Sequence, residues 1–87
     1  MAPSLRSGII SPTDTIMARA TYRGLTVVNF ISTGFSDLAE VLRAVRAAVG
    51  GIVGCLDLNL RNATRGWSDD RALFIAPAAP GTQLSLF

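Results

Sequence analysis

The first strong pattern in the chain is a run of β-branched and aromatic residues over residues 21–32. This composition favours a β-strand. Apolar side chains fall on both faces of the extended chain: Leu25, Val27 and Ile31 on one, Val28 and Phe30 on the other. Because both faces are apolar, we expect this strand to lie in the centre of a sheet or at an interface rather than at an exposed edge.

A helical period follows the strand. Apolar residues recur at positions i, i+3, i+4, i+7 and i+11, namely Leu38, Val41, Leu42, Val45 and Val49, which predicts one apolar stripe on a helix. Asp37 and Glu40 have the spacing of a capping box, and both acids suit the positive end of the helix dipole. Gly50 and Gly51 predict the C-terminal end.

Strict alternation returns over residues 55–61, where three leucines share one face: Leu56, Leu58 and Leu60. This pattern predicts a half-buried strand. The polar residues 62–70 predict a turn, and residues 71–76 predict a short third strand that pairs with the second as an antiparallel hairpin.

The predicted fold is therefore α+β, a small βαββ two-layer domain over residues 21–76. Residues 1–20 are predicted to form an extended N-terminal arm, and residues 77–87 a proline-containing linker followed by a C-terminal docking peptide. One helix covers only one face of such a sheet. We therefore expect a second subunit to cover the other face and predict a homo-oligomer.

The composition supports association between subunits. The chain has 87 residues, of which 49% are hydrophobic and only 16% charged. A domain of this size buries only about 60% of its unfolded surface, so its core is marginal. With Cys55 as the only cysteine and no histidine, neither a disulfide nor a four-ligand zinc site within one chain can add stability. Oligomerisation is the remaining common means.

The same residue inventory argues against catalysis. The absence of histidine excludes a Ser/His or Cys/His arrangement, and the acids Asp57, Asp69 and Asp70 do not follow a recognisable metal-ligand pattern. We therefore predict that the protein is not an enzyme and has no cofactor or metal. No apolar run approaches the ~20 residues that span a bilayer, which predicts a cytoplasmic protein without a membrane partner.

The C-terminal residues carry the most specific motif in the chain: Gln83, Leu84, Ser85, Leu86 and Phe87. This pentapeptide resembles the motif by which bacterial replication and repair proteins bind the DNA sliding clamp, the β subunit of the replicative polymerase. The pattern there is glutamine, leucine, serine or aspartate, leucine and phenylalanine, and all five positions match. The resemblance implies the sliding clamp as partner. The alternative is that the apolar residues pack on the protein's own core or on a neighbouring subunit.

A second candidate site lies in the predicted hairpin loop, where three arginines surround an indole: Arg61, Arg65, Trp67 and Arg71. Such a group can stack bases and hold phosphates. In the alternative interpretation, Trp67 is a packing anchor and the arginines are solvated or paired with Asp69 and Asp70. The net charge of +2, carried by alternating acids and arginines, does not by itself indicate a nucleic-acid partner.

Together these features predict a small non-catalytic protein-interaction factor, with the sliding clamp as candidate partner. Its role would be that of an accessory factor or an inhibitor in replication or repair. The alternative from another class is a self-assembling structural protein, such as a component of a phage particle or shell, whose arm and tail contact neighbouring subunits. A nucleic-acid-binding module that uses the Arg/Trp loop is the weaker alternative.

Overall fold

The computed structural model describes residues 9–77. These residues form an antiparallel sheet of four strands with one helix on one face. The elements in chain order are β1 (Ile16–Tyr22), β2 (Leu25–Ser32), α1 (Leu38–Val49), β3 (Gly54–Asn62) and β4 (Trp67–Ile75).

The order of strands across the sheet is β2-β1-β3-β4. The centre therefore consists of β1 and β3, and α1 is the connection that crosses from one edge strand to the central β3. Ala18 shows the register, because it lies opposite Phe30 on β2 and Leu60 on β3. Directly opposed residues of an antiparallel sheet point to the same face, so this register puts the apolar residues of three strands on one side.

The α+β class is confirmed, but the predicted βαββ order is incomplete. The observed order is ββαββ, and the additional strand β1 lies mostly within residues 1–20, which were predicted to be an arm. The strand escaped prediction because two of its three buried positions are alanines, Ala18 and Ala20, which are exposed by only 1% and 0%. Alanine is depleted in strands and gives a weak strand signal.

The predicted single strand over residues 21–32 was also wrong, since it contains a tight turn. Tyr22 ends β1 and Leu25 begins β2. The two residues between them, Arg23 and Gly24, both have positive φ, of 52° and 81°. Positive φ at both central positions belongs to the type I′ turn, whose usual sequence is Asn-Gly or Asp-Gly. Because Arg23 replaces the usual asparagine or aspartate, the sequence gives no clear signal for this turn.

The position of β2 differs from the prediction of a central strand. Within the described sheet β2 is an edge strand, and its Leu25 and Ile31 side chains are 71% and 64% exposed.

The last strand is longer than predicted: it starts at Trp67 rather than at residue 71, so the loop before it is confined to residues 63–66.

The core lies between α1 and one face of the sheet. The alternation predicted for β3 is confirmed, because Leu56, Leu58 and Leu60 are all at most 2% exposed. The helix contributes its predicted stripe at Val41, Val45 and Val49, which are at most 6% exposed, with Leu38 and Leu42 at its margin. The opposite face of the sheet has no element of the described chain over it, and Cys55 is exposed there.

The start of the helix is close to the predicted capping box. Asp37 is the N-cap, and its carboxylate accepts a hydrogen bond from the Glu40 amide at 2.9 Å. The Glu40 carboxylate in turn accepts from the amide of Ser36 at 2.5 Å, one residue earlier than the capping box requires. At the other end Gly50 adopts φ 75° as the C-cap, which favours glycine.

We predict that Leu58→Ala lowers the free energy of unfolding by about 2–5 kcal/mol, because it removes buried methyl groups from a central strand and leaves a cavity. Asp57→Ala on the exposed face of the same strand is the control and should change stability by only about 0.5 kcal/mol. Urea unfolding followed by circular dichroism measures both. Equal losses in the two variants would contradict the assignment of the core face.

Candidate functional site

The predicted docking peptide, residues 83–87, lies outside the described residues. The structure does describe where the chain leaves the sheet. β4 is an edge strand, and its last residue, Ile75, lies opposite Gly54. Pro77 follows shortly and has no backbone N–H, so it cannot continue the ladder. The described part of the chain thus ends at an edge of the sheet, ahead of the predicted docking peptide.

Trp67, the aromatic residue of the second candidate site, is buried. It is the first residue of β4 and only 7% exposed. Its indole Nε1 donates a hydrogen bond to the carbonyl oxygen of Ile9 at 3.0 Å. Because the ring belongs to the core, it offers no free face on which a base could stack. This arrangement is that of a packing anchor.

A buried carboxylate is linked to the indole through Asn62 and the Ile9 carbonyl. Asp14 is 3% exposed, and its Oδ2 accepts three hydrogen bonds: from Arg65 Nε at 2.6 Å, from Asn62 Nδ2 at 3.0 Å and from the Ser11 amide at 3.0 Å. Burial of a charge is costly unless the charge is paired and hydrogen-bonded. Here both conditions are met, so the carboxylate joins the segment before β1 to the end of β3.

Asn62 is the second buried polar side chain, with an exposure of 0%. Its Oδ1 accepts from the amides of Thr64 and Arg65 at 3.0 and 2.9 Å, which shapes the turn between β3 and β4. Its Nδ2 donates to Asp14 and, at 3.3 Å, to the Ile9 carbonyl. We refer to these groups as the Asp14–Asn62 network, formed by the Ile9 carbonyl with Ser11, Asp14, Asn62, Arg65 and Trp67.

The three arginines predicted to surround the indole are not brought together. Arg65 is held by Asp14 and also donates to the Ser11 hydroxyl at 2.6 Å. Arg71 pairs with Asp69 two residues away, with Nε–Oδ2 and Nη2–Oδ2 distances of 2.8 and 2.7 Å. Arg61 lies on the face of the sheet that the helix does not cover, because its neighbour Leu60 points into the core. The loop therefore does not form a guanidinium cluster.

The uncovered face of the sheet carries a polar row across all four strands. The register places Asn29, Arg19, Asn59 and Asp70 side by side on β2, β1, β3 and β4. The Asn59 Nδ2 donates to the Asp70 carboxylate at 2.5 Å. A polar row on this face explains how the sheet can remain uncovered in one copy.

Two open depressions adjoin this row. One, of about 410 Å³, is lined by Met17, Arg19, Asn29, Ile31, Asn59 and Arg61. The other, of about 440 Å³, is also bordered by Arg19 but includes Asp57 and Asp70. The first depression has two guanidinium groups and two amides, and the second has both arginines and aspartates. The face can therefore contact both negatively and positively charged groups.

Sequence patterns did not reveal the Asp14–Asn62 network. Its central hydrogen bond joins residues 48 positions apart, and periodicity detects only neighbours within one element. The one local signal is an asparagine that ends a strand and precedes Thr64, Arg65 and Gly66, since asparagine commonly bonds the backbone of a following turn.

Comparisons with known protein families, with curated proteins and with solved structures found nothing that matches this chain. Within residues 9–77 the single helix is too short to cross a membrane. In the same part of the chain, no three histidine, cysteine, aspartate or glutamate side chains are grouped in a way that could hold a metal ion.

The Asp14–Asn62 network predicts a specific dependence of stability on pH. Hydrogen bonds from Asn62 and then from Arg65 lower the pKa of Asp14 below its ordinary value. Since the pKa is lower in the folded state than in the unfolded state, ionised Asp14 stabilises the fold fully above the unfolded pKa of about 3.9. That contribution is lost as the pH falls through the folded pKa. Unfolding free energies of wild type and Asp14→Asn should therefore converge below pH ~4.

A carboxyl titration by NMR provides the direct measurement. The midpoint of Asp14 should lie below that of an ordinary aspartate, and Arg65→Gln should raise it because one hydrogen bond to the carboxylate is removed. A stability difference between wild type and Asp14→Asn that stays constant from neutral pH to pH ~2 would contradict this role of the carboxylate.

Proposed function

We propose that this protein acts through non-catalytic protein–protein contact in the bacterial cytoplasm, and that residues 83–87 dock on the DNA sliding clamp. The observation that carries the proposal is the agreement of all five positions, from Gln83 to Phe87, with the clamp-binding pattern. The folded body then serves as the part that recruits, regulates or blocks, while the peptide supplies the attachment.

The chemistry of the peptide supports docking in an apolar groove. The side chains of Leu86 and Phe87 each contribute roughly 1.5–3 kcal/mol when they enter apolar pockets. The amide of Gln83 can donate and accept hydrogen bonds, which suits a residue that fixes the register of an extended ligand. Ordering the peptide costs several kcal/mol, so the net affinity should be about micromolar.

The way the chain leaves the body also supports the proposal. Residues 9–75 already form a sheet with a filled core and no buried side-chain polar atom of the described residues lacks a hydrogen-bond partner. Pro77 and Pro80 follow the edge strand β4 and restrict the linker before binding. A stiff linker lowers the entropy that docking must remove.

The mechanism that follows is occupation of a peptide site. A protein attached through such a peptide excludes other ligands that carry the same motif from that site. It therefore competes with them for the clamp, and a synthetic peptide of residues 83–87 should displace it.

The test is to titrate the full-length protein against purified bacterial sliding clamp and to follow binding by calorimetry. We expect a dissociation constant of about a micromolar. A chain truncated after Gly81 should not bind, and Phe87→Ala should bind roughly tenfold or more weakly because it forfeits burial of the aromatic ring. The free peptide of residues 83–87 should compete.

Ser85→Asp is the matched control. The clamp-binding pattern accepts serine or aspartate at this position, so this variant should retain binding although it changes charge within the peptide. If wild type and the truncated chain bind equally, or if neither binds, the proposed function is wrong. Loss of binding in Ser85→Asp as large as that in Phe87→Ala would show that the contact does not follow the clamp-binding pattern.

A further inference from the structure

The two edges of the sheet are protected to different degrees. β4 carries three consecutive charged residues, Asp69, Asp70 and Arg71, and is followed by Pro77. Charges and proline are the usual means by which an edge strand is kept from pairing with another chain. β2 is eight residues long and contains neither a charge nor a proline. Among residues 9–77 no strand pairs with the outer edge of β2, and only the β-bulge at Val27 interrupts that edge.

The side chains of β2 also fit a covered strand better than an edge. Leu25 and Ile31 are 71% and 64% exposed, the two highest values among the large hydrophobic side chains of the described residues. Phe30, whose ring centroid lies 6.1 Å from that of Phe35, is only half-buried. A strand added beside β2 would lie next to Phe30 on the helix face and next to Ile31 on the uncovered face.

The sequence of β2 indicates which strand that is. Asn29 lies between two pairs of apolar residues, Val27 and Val28 before it, Phe30 and Ile31 after it. The sequence of apolar and polar residues over 27–31 is therefore the same in both directions of the chain. Two antiparallel copies centred on Asn29 therefore place Val27 opposite Ile31 and Val28 opposite Phe30. We propose that β2 pairs with β2 of a second copy of this chain, with Asn29 opposite Asn29 on the two-fold axis.

The register is fixed by the polar residue. In the proposed pairing, the two Asn29 amides can hydrogen-bond to each other, since each has a donor and an acceptor. A shift of the two-fold centre by one residue would place Asn29 opposite Val27 or Ile31 and leave its amide against an apolar side chain. The shifted pairings lose the amide–amide hydrogen bond, and the one centred on Val28 also places Phe30 opposite Thr26, so the centred register is favoured.

The geometry of the strand permits this arrangement. The β-bulge between β1 and β2 falls at Val27, whereas Val28, Asn29 and Phe30 keep a regular pairing with β1. Opposed residues of antiparallel strands point to the same face, so the Val28 side chain of one copy meets Phe30 of the other beside the helix layer. The dimer is a continuous sheet with both helices on one face. The proposal is independent of clamp docking.

Engineered cysteines test the register. In a Cys55→Ser background, which removes the exposed natural thiol, Asn29→Cys places two cysteines opposite each other across the two-fold axis. Their Cα atoms would be about 4.5–5.5 Å apart, within the range of a disulfide. Thr26→Cys is the matched control on the same strand. Its two copies would lie about 20 Å apart in this register, too far to form the bond.

We expect Asn29→Cys to form a disulfide-linked dimer on mild oxidation and Thr26→Cys to remain largely monomeric on a non-reducing gel. Crosslinking of Thr26→Cys as fast as that of Asn29→Cys would overturn the proposal. Absence of crosslinking in Asn29→Cys, when circular dichroism shows it folded, would do the same.

Sedimentation at several concentrations tests the interface without cysteines. Ile31→Glu introduces a charge on the pairing strand and should weaken the dimer by roughly tenfold or more, because that charge loses water on pairing. Phe74→Lys replaces an equally exposed residue on the opposite edge strand, at 60% exposure, and should leave the dimer unchanged. The negative charge of Ile31→Glu lies on the same face of the sheet as Arg61, and the positive charge of Phe74→Lys lies on the same face as Asp57. Each variant thus places its new charge on a face that carries a charge of opposite sign. A wild-type chain that is monomeric at every concentration, or a dimer disrupted only by Phe74→Lys, would overturn the proposal.

Discussion

The arrangement of the sheet depends on the buried carboxylate of Asp14. It holds the segment before β1 against the end of β3 through Asn62 and Arg65. β1 begins two residues after Asp14 and occupies the centre of the sheet, between β2 and β3. The same network receives the indole of Trp67 through the Ile9 carbonyl, so the first residue of β4 is fixed at the same point. One charged cluster thus sets the ends of three strands.

This cluster also decides which residues remain free for binding. The Arg65 guanidinium is engaged by Asp14 and the Trp67 ring is buried, so two members of the predicted Arg/Trp site serve the fold. The Asp14 carboxylate is buried, so turning Arg65 away would leave it with one charge-assisted hydrogen bond fewer. Recruiting the Trp67 ring or the Arg65 guanidinium to a ligand would therefore disturb the contacts that join the ends of these strands.

The predictability of each element follows from the range of the interactions that define it. α1 and β3 could be predicted, since the stripe through Val41 and Val45 and the alternation through Leu58 are local patterns. β1 could not, because the alanines on its core face give a weak strand signal, and the turn after it has arginine where asparagine is usual. The Asp14–Asn62 network could not either, since it joins distant segments. The predicted docking peptide is the opposite case, because its resemblance to the clamp-binding motif can be seen in five consecutive residues without knowledge of the fold.

The physical conflict in β2 connects the two proposals. The composition of β2 is typical of a covered strand, but in a single copy of the chain β2 is an exposed edge. Pairing with a second copy would cover it, at the cost of association entropy. Pairing through β2 leaves β4 at the outer edges of the joined sheet, and the chain leaves β4 toward residues 77–87 on each side. The dimer would therefore present two docking peptides. Two weak peptides on one rigid body bind a partner with several peptide sites far more tightly than one, provided that their spacing matches, because the second contact is intramolecular.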